Sequence, residues 1–231
     1  MFPLQARRQP KSTPYITYSL IGLNILVFIW ELSLSQPELF SVFATQTYNP
    51  CTAGVSPDTF WDLTRTMFLH GGWTHIIGNM AFLAIFGPLV EDYLGKWRFL
   101  AFYMAVGYAA SLFHGLLTTI CGPTIGASGA IFGVMGAFLL LYPATRVRSV
   151  VLFLRVPIGT RDIQAFYLLF AFFFIDLING IAAIGPFTVN TGNVAIWAHV
   201  GGFLAGLVMT FFIMIVKPAP EVDMLENIGN D

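Results

Sequence analysis

Long apolar stretches, separated by connections that carry nearly all of the charge, leave this chain few folds other than one that crosses a lipid bilayer. Six such stretches are read, at Tyr15 to Leu34, Trp73 to Val90, Trp97 to Leu117, Ala127 to Leu141, Ile163 to Ile184 and Val194 to Val216. Hydrocarbon cannot solvate an unpaired peptide group, so spans of this kind are helices. With 56% hydrophobic and 10% charged residues, the composition lies far from the soluble norm of about 25% charged. The expected fold is therefore an all-α membrane protein, a six-transmembrane helical bundle over residues 15 to 217. A short N-terminal segment (1 to 14) and an acidic, disordered tail from Pro218 flank it.

Lys and Arg in short connections set orientation. Ten of the eleven fall in the N-terminal segment, the second and fourth loops and just after the last span, and only Arg65 lies opposite. Both termini are thus expected in the cytoplasm. The first apolar run has the basic flank of a signal peptide, but it is too long for an h-region and lacks a small-residue cleavage site. The net charge of -1 says nothing about nucleic acid, but with few exposed charges there is no basic patch to bind it. Cys51 and Cys121 both map to the outer side. A disulfide is open to them in an oxidising compartment, but two free thiols are the expected state. The connection from Ser35 to Arg65, with Phe40, Phe43, Tyr48, Phe60 and Trp61, is expected on the outer membrane interface, where aromatic rings concentrate.

Given that topology, the second, fourth and sixth spans enter from the outer face. At about 1.5 Å of rise per residue, His75, Asn79, Ser128 and His199 lie within roughly 10 Å of one boundary. Polar and ionisable groups inside a membrane are rare and usually functional. Gly129, Gly133 and Gly136 line one face of the fourth span, and Ala198, Gly202 and Ala205 or Gly206 one face of the sixth. Small faces let helix backbones meet. Ser128 alone could be a helix N-cap and His199 alone a satisfied buried histidine. As a pair beside those faces they read as a nucleophile and its base. Asn79, His75 and the amides at the helix start could serve as oxyanion donors.

Other chemistries find less support. The chain has no His-Glu-x-x-His, the helix motif of zinc-dependent proteolysis. Aspartyl intramembrane proteolysis needs two facing span carboxylates, and only Asp176 is available. A soluble-hydrolase elbow needs Gly-x-Ser-x-Gly after a strand; Ala130 stands at the second glycine, and no strand is expected. A transporter would show repeats with broken helices, and none is found.

At these residues the chain resembles the rhomboid family of intramembrane serine proteases. The resemblance rests on Trp61, then His70-Gly71-Gly72-Trp73-Thr74-His75-Ile76-Ile77-Gly78-Asn79, Glu91 before Gly95, Gly126-Ala127-Ser128-Gly129, and Ala198-His199 leading into Gly202 and Gly206. It implies a Ser128-His199 catalytic dyad, an oxyanion hole of His75, Asn79 and the Ser128 amide, and Phe132 packed against the imidazole. It also implies a structural role for His70. Gly126, Gly129 and Gly202 would support the site. The family's Trp-Arg pair in the first loop is Trp61-Asp62 here, with Arg65 three residues on. Since the family works without an acid, Asp176 reads as a structural carboxylate hydrogen-bonded near Asn179 or water, with a third catalytic member as the lesser alternative, and His114 as structural. The implied function is a serine endopeptidase that cleaves transmembrane or juxtamembrane segments of single-span proteins in the bilayer. The alternative is a catalytically silent relative that binds membrane helices. The site should be a hydrophilic cavity closed by the first outer loop and capped by the connection Gly185 to Asn193. No cofactor or metal is implied, and the compact six-span form points to a prokaryotic inner (cell) membrane.

Overall fold

The structure, a computed structural model, describes residues 1–54, 56–118, 121–153, 156–184 and 195–220. A strand, β1 (Phe2–Ala6), leads into the first long helix, α1 (Tyr15–Ser33). Two short helices follow, α2 (Gln36–Gln46) and α3 (Pro57–Thr66), then α4 (Trp73–Leu94), α5 (Lys96–Leu117) and α6 (Ser128–Leu141). The hairpin β2 (Arg146–Phe153) and β3 (Val156–Gln164) precedes α7 (Ala165–Ile184) and α8 (Ile196–Val216).

Five of these helices, α1, α4, α5, α7 and α8, are long and apolar enough to cross a membrane. The fourth expected span is the exception. With 14 residues, α6 is about 21 Å long, short of a hydrocarbon core of about 30 Å. It is also the most enclosed helix, packed against α4, α5, α7 and α8. Val134, Met135, Ala137 and Phe138 are fully buried in the core.

Acidic side chains tie α1 to the bundle. The Glu91 carboxylate accepts from the Ile16 amide at 2.9 Å and from the Thr17 amide and hydroxyl at 2.7 and 2.8 Å. It thereby satisfies the open first turn of α1, where a negative charge also meets the helix dipole. At the other end of α1, Glu31 accepts from the His70 amide at 2.9 Å. In contrast, α7 turns Phe166, Phe170, Phe174, Ile178 and Ile181 outward, an apolar face suited to lipid.

Two sequence expectations are corrected. The expectation of no strands fails, because β1, β2 and β3 form an antiparallel sheet in that order. Pro3 pairs with Ser149 and Ala6 with Val147, while Val147 pairs with Ile163. The fifth span accordingly begins at Ala165, since Ile163 belongs to the sheet. Asp162 accepts from Arg7, just past β1, at 2.9 and 3.2 Å and from Arg148 of β2 at 3.3 Å. The expectation of free thiols also fails. Cys51 and Cys121 are disulfide-bonded, with Cα atoms 5.4 Å apart.

The connection between α1 and α4, expected as an interfacial loop, carries α2 and α3. Ser35 and Glu38 form a capping box on α2, and the Ser56 hydroxyl accepts from the Thr59 amide at 3.2 Å to cap α3. Residues 221–231 of the acidic tail and the connection Gly185 to Asn193 lie outside the described residues.

Candidate active site

Ser128 is the first residue of α6, and its side chain does not cap the helix; that position belongs to Ala127, which makes no side-chain cap bond. The Ser128 Oγ lies instead 2.9 Å from Nε2 of His199, one turn into α8. The Phe132 ring lies flat against the imidazole, centroids 4.2 Å apart and planes 6° apart. The expected nucleophile, base and aromatic support are therefore brought together.

Glycine makes this meeting possible. A Cβ on Gly202 would lie 2.9 Å from the carbonyl carbon of Gly129 and nearer still to its oxygen; one on Gly206 would meet the Gly133 carbonyl in the same way. A Cβ on Gly129 would in turn come within 2.7 Å of the Ala110 methyl. Backbone against backbone is the closest packing that two helices can reach. Gly126 carries two constraints. Its φ of +118° is open mainly to glycine, and a Cβ there would lie 2.6 Å from the His75 ring and 3.7 Å from the Asn79 amide nitrogen. The segment entering Ser128 thus runs directly against the two expected oxyanion donors.

Asn79 is buried, and its amide donates to His70 Nε2 at 3.0 Å. His70 in turn donates from Nδ1 to the Phe68 carbonyl at 3.2 Å, a tautomer that leaves Nε2 as the acceptor. His70 is thus a strut for Asn79, whose second amide hydrogen has no partner among the described residues. Its ring also packs edge-on to His75 at 5.2 Å.

A clamp that the sequence did not announce holds the segment before Ser128. The Gly126 amide donates to the Thr66 carbonyl at 2.8 Å, the Thr66 hydroxyl accepts from the Tyr48 amide at 2.9 Å, and Thr124 donates twice to the Tyr48 carbonyl. The disulfide fastens the same two segments. Arg65 pairs with Asp62 at 3.3 Å along α3, so these departures from the family pattern engage each other.

Asp176 requires a correction. Its Oδ2 lies 2.7 Å from Nδ1 of His199, and both side chains are largely buried, 21% and 13% exposed. Its partner is the imidazole, and neither Asn179 nor water is needed to explain it. The one available sequence signal was a lone carboxylate in an apolar helix at the depth of the site. His114 keeps a buried Nδ1 without a hydrogen-bond partner among the described residues.

Comparison with known proteins agrees with this architecture. The Rhomboid domain profile matches residues 57–215, the stretch that holds Ser128, His199, Asp176, His75 and Asn79. The Bacillus subtilis protein named "Putative rhomboid protease YdcA" is 28% identical over 204 residues, covering 88% of this chain and 90% of its own. Rhomboid protease GluP of the same organism is 31% identical over 84% of this chain but only 34% of its own length. The mitochondrial Rhomboid protein 1 of Saccharomyces cerevisiae is 33% identical over 57% of this chain and 38% of its own. A multi-pass helical membrane protein with this domain over most of its length belongs to the rhomboid family.

Proposed function

We propose that the chain is an intramembrane serine endopeptidase that hydrolyses a peptide bond in or beside the transmembrane segment of a single-span membrane protein. The observation that carries this reading is the 2.9 Å contact between Ser128 Oγ and His199 Nε2, held by two helices whose glycines touch. Packing alone needs neither a hydroxyl nor an imidazole at that point. A silent helix-binding relative would have no use for the pair.

In this mechanism Nε2 takes the hydroxyl proton as Oγ adds to the scissile carbonyl carbon. The π electrons move onto oxygen. The oxyanion is received by the Ser128 amide, which the helix start leaves without an intrahelical acceptor, and by Asn79 and His75. Collapse breaks the C–N bond, and the amine leaves with the proton held by His199. Water, deprotonated by the same nitrogen, adds to the acyl ester, and Ser128 leaves with that proton. General acid–base help of this kind contributes about 10² to 10⁴ in rate, and each oxyanion donor about 2.7 to 4 kcal/mol.

A helical substrate hides its carbonyls in its own hydrogen bonds, so the cleaved segment must unwind locally, and weakly helical stretches with Gly or Pro are preferred. We place both termini in the cytoplasm and the site toward the outer face of a prokaryotic inner (cell) membrane. The distribution of Lys and Arg supports this, as does a disulfide on the Ser128 side of the bundle, where an oxidising compartment would keep it. The test is labelling by a serine-directed fluorophosphonate alongside cleavage of a single-span substrate. Both should be lost in Ser128→Ala at unchanged folding, and cleavage surviving in that variant excludes the mechanism.

A further inference from the structure

Each of the last two helices carries a single residue of the Asp, Glu, Lys, Arg and His set, Asp176 in α7 and His199 in α8, and these two side chains meet. The meeting is fixed by packing on either side. One turn below Asp176, Phe173 stacks on Phe203 with centroids 4.8 Å apart. One turn above, a Cβ on Gly180 would be 3.1 Å from the Trp197 ring, so that glycine admits the indole. These contacts run antiparallel, Phe173 to Phe203 and Gly180 to Trp197, and the register between them sets Asp176 opposite His199.

The imidazole is held at three points: Ser128 at Nε2, Asp176 at Nδ1 and Phe132 on one face. For Nε2 to accept the serine proton, the neutral ring must carry its own proton on Nδ1. An ionised carboxylate at 2.7 Å can only accept, so it selects that tautomer. As Nε2 takes the serine proton the ring becomes a cation beside that anion, and the charge pair forms as Oγ adds to the carbonyl carbon.

We propose that Asp176 is a positioning residue for the proposed protease reaction, making the site a Ser128-His199-Asp176 relay. It holds His199 in the Nδ1-protonated tautomer and stabilises the imidazolium. This rests on the protease reading and goes beyond the two-residue dyad that the resemblance implied. Asp176 touches no reacting atom.

The experiment compares full-length wild type with Asp176→Asn for kcat, KM, thermal stability and the rate of fluorophosphonate labelling, which needs no substrate helix. In a triad of this design the same exchange costs about 10⁴ in kcat. We expect a fall of about 100-fold or more in kcat, with KM little changed and labelling slowed by a similar factor. A further Asp176→Asn change in a His199→Ala background should cost no additional activity. A folded Asp176→Asn protein that labels at the wild-type rate overturns the inference and leaves the protease reading standing. Wild type that neither labels nor cleaves overturns that reading, and this inference with it. Should Asp176→Asn fail to fold, the histidine-selective 15N spectrum of wild type decides: Nδ1–H on neutral His199 supports the relay, and Nε2–H overturns it.

Discussion

Replacing Gly202 by alanine adds one methyl group where two backbones touch, and its consequence follows from distances. The new Cβ would start 2.9 Å from the Gly129 carbonyl carbon and 3.3 Å from the Ala110 methyl, where carbon atoms prefer about 3.5 Å or more. The Gly129 oxygen is nearer still, so α8 must retreat from α6 by about 1 Å or more. Ser128 adjoins Gly129, and His199 lies one turn before Gly202, so the retreat is felt at the 2.9 Å hydrogen bond. Lengthened by that amount, it reaches or passes the roughly 3.5 Å beyond which such contacts cease to be hydrogen bonds. Overpacking costs about 1 to 3 kcal/mol of stability, and a misplacement of about 1 Å at a reacting centre costs about 100-fold in rate. Gly206→Ala crowds the Gly133 carbonyl as severely, but four residues, or about 6 Å, farther along the helix. It should therefore lose comparable stability and less activity. Gly22→Ala, in open space on α1, is the control and should be as stable as wild type or more so. Thermal unfolding and fluorophosphonate labelling in one detergent decide the matter. A Gly202→Ala protein with wild-type melting and labelling would refute the backbone contact as the device that sets the Ser128 to His199 distance.

Ser128→Ala and His199→Ala should each abolish cleavage, and the double variant should be no worse, because nucleophile and base act as a unit. Asn79→Ala should lower turnover by about 100-fold or less with KM preserved, since two other oxyanion donors remain; a collapse of binding with turnover intact would make it a binding group. Reducing the Cys51–Cys121 bond, which closes a separation of 70 residues, should lower the melting temperature. Chain entropy sets an upper limit of about 4 kcal/mol, less in a membrane that keeps the helices formed. Arg7 and Arg148 hold the Asp162 carboxyl below its ordinary range, so its contribution is present at neutral pH and lost as pH falls through the folded-state value. Being exposed it is worth less than about 1 kcal/mol, and Asp162→Asn should match wild type in stability once pH is below that range.

Helix positions were legible because apolar length is a local property: Tyr15, Trp73 and Leu141 mark helix ends within a residue of where hydropathy put them. The sheet was not. The β2 sequence RVRSVVLF alternates only in part and was read as a basic loop, while the partner of β1 lies more than 140 residues away, so no local window contains the pairing. The disulfide was hidden for a related reason. Two cysteines on the same side can be named from topology, but their meeting depends on Thr66 and Thr124 both binding the strand-like stretch at Tyr48.

Asp176 shows where depth arithmetic stops. Counting residues from a helix end placed it near the level of the site, because rise per residue is nearly constant. Rotation is less forgiving: each residue turns the side chain by about 100°, so a shift of one position aims the carboxylate at lipid instead of at His199. What fixes the rotation is the seat of Phe173 on Phe203 and of Trp197 in the notch at Gly180, contacts between helices whose sequences show only that both are apolar. Ser128 and His199 escaped this ambiguity because glycines at four-residue spacing mark the contact face beside each. On α7 no small-residue stripe points to Asp176, so its depth was readable and its partner was not.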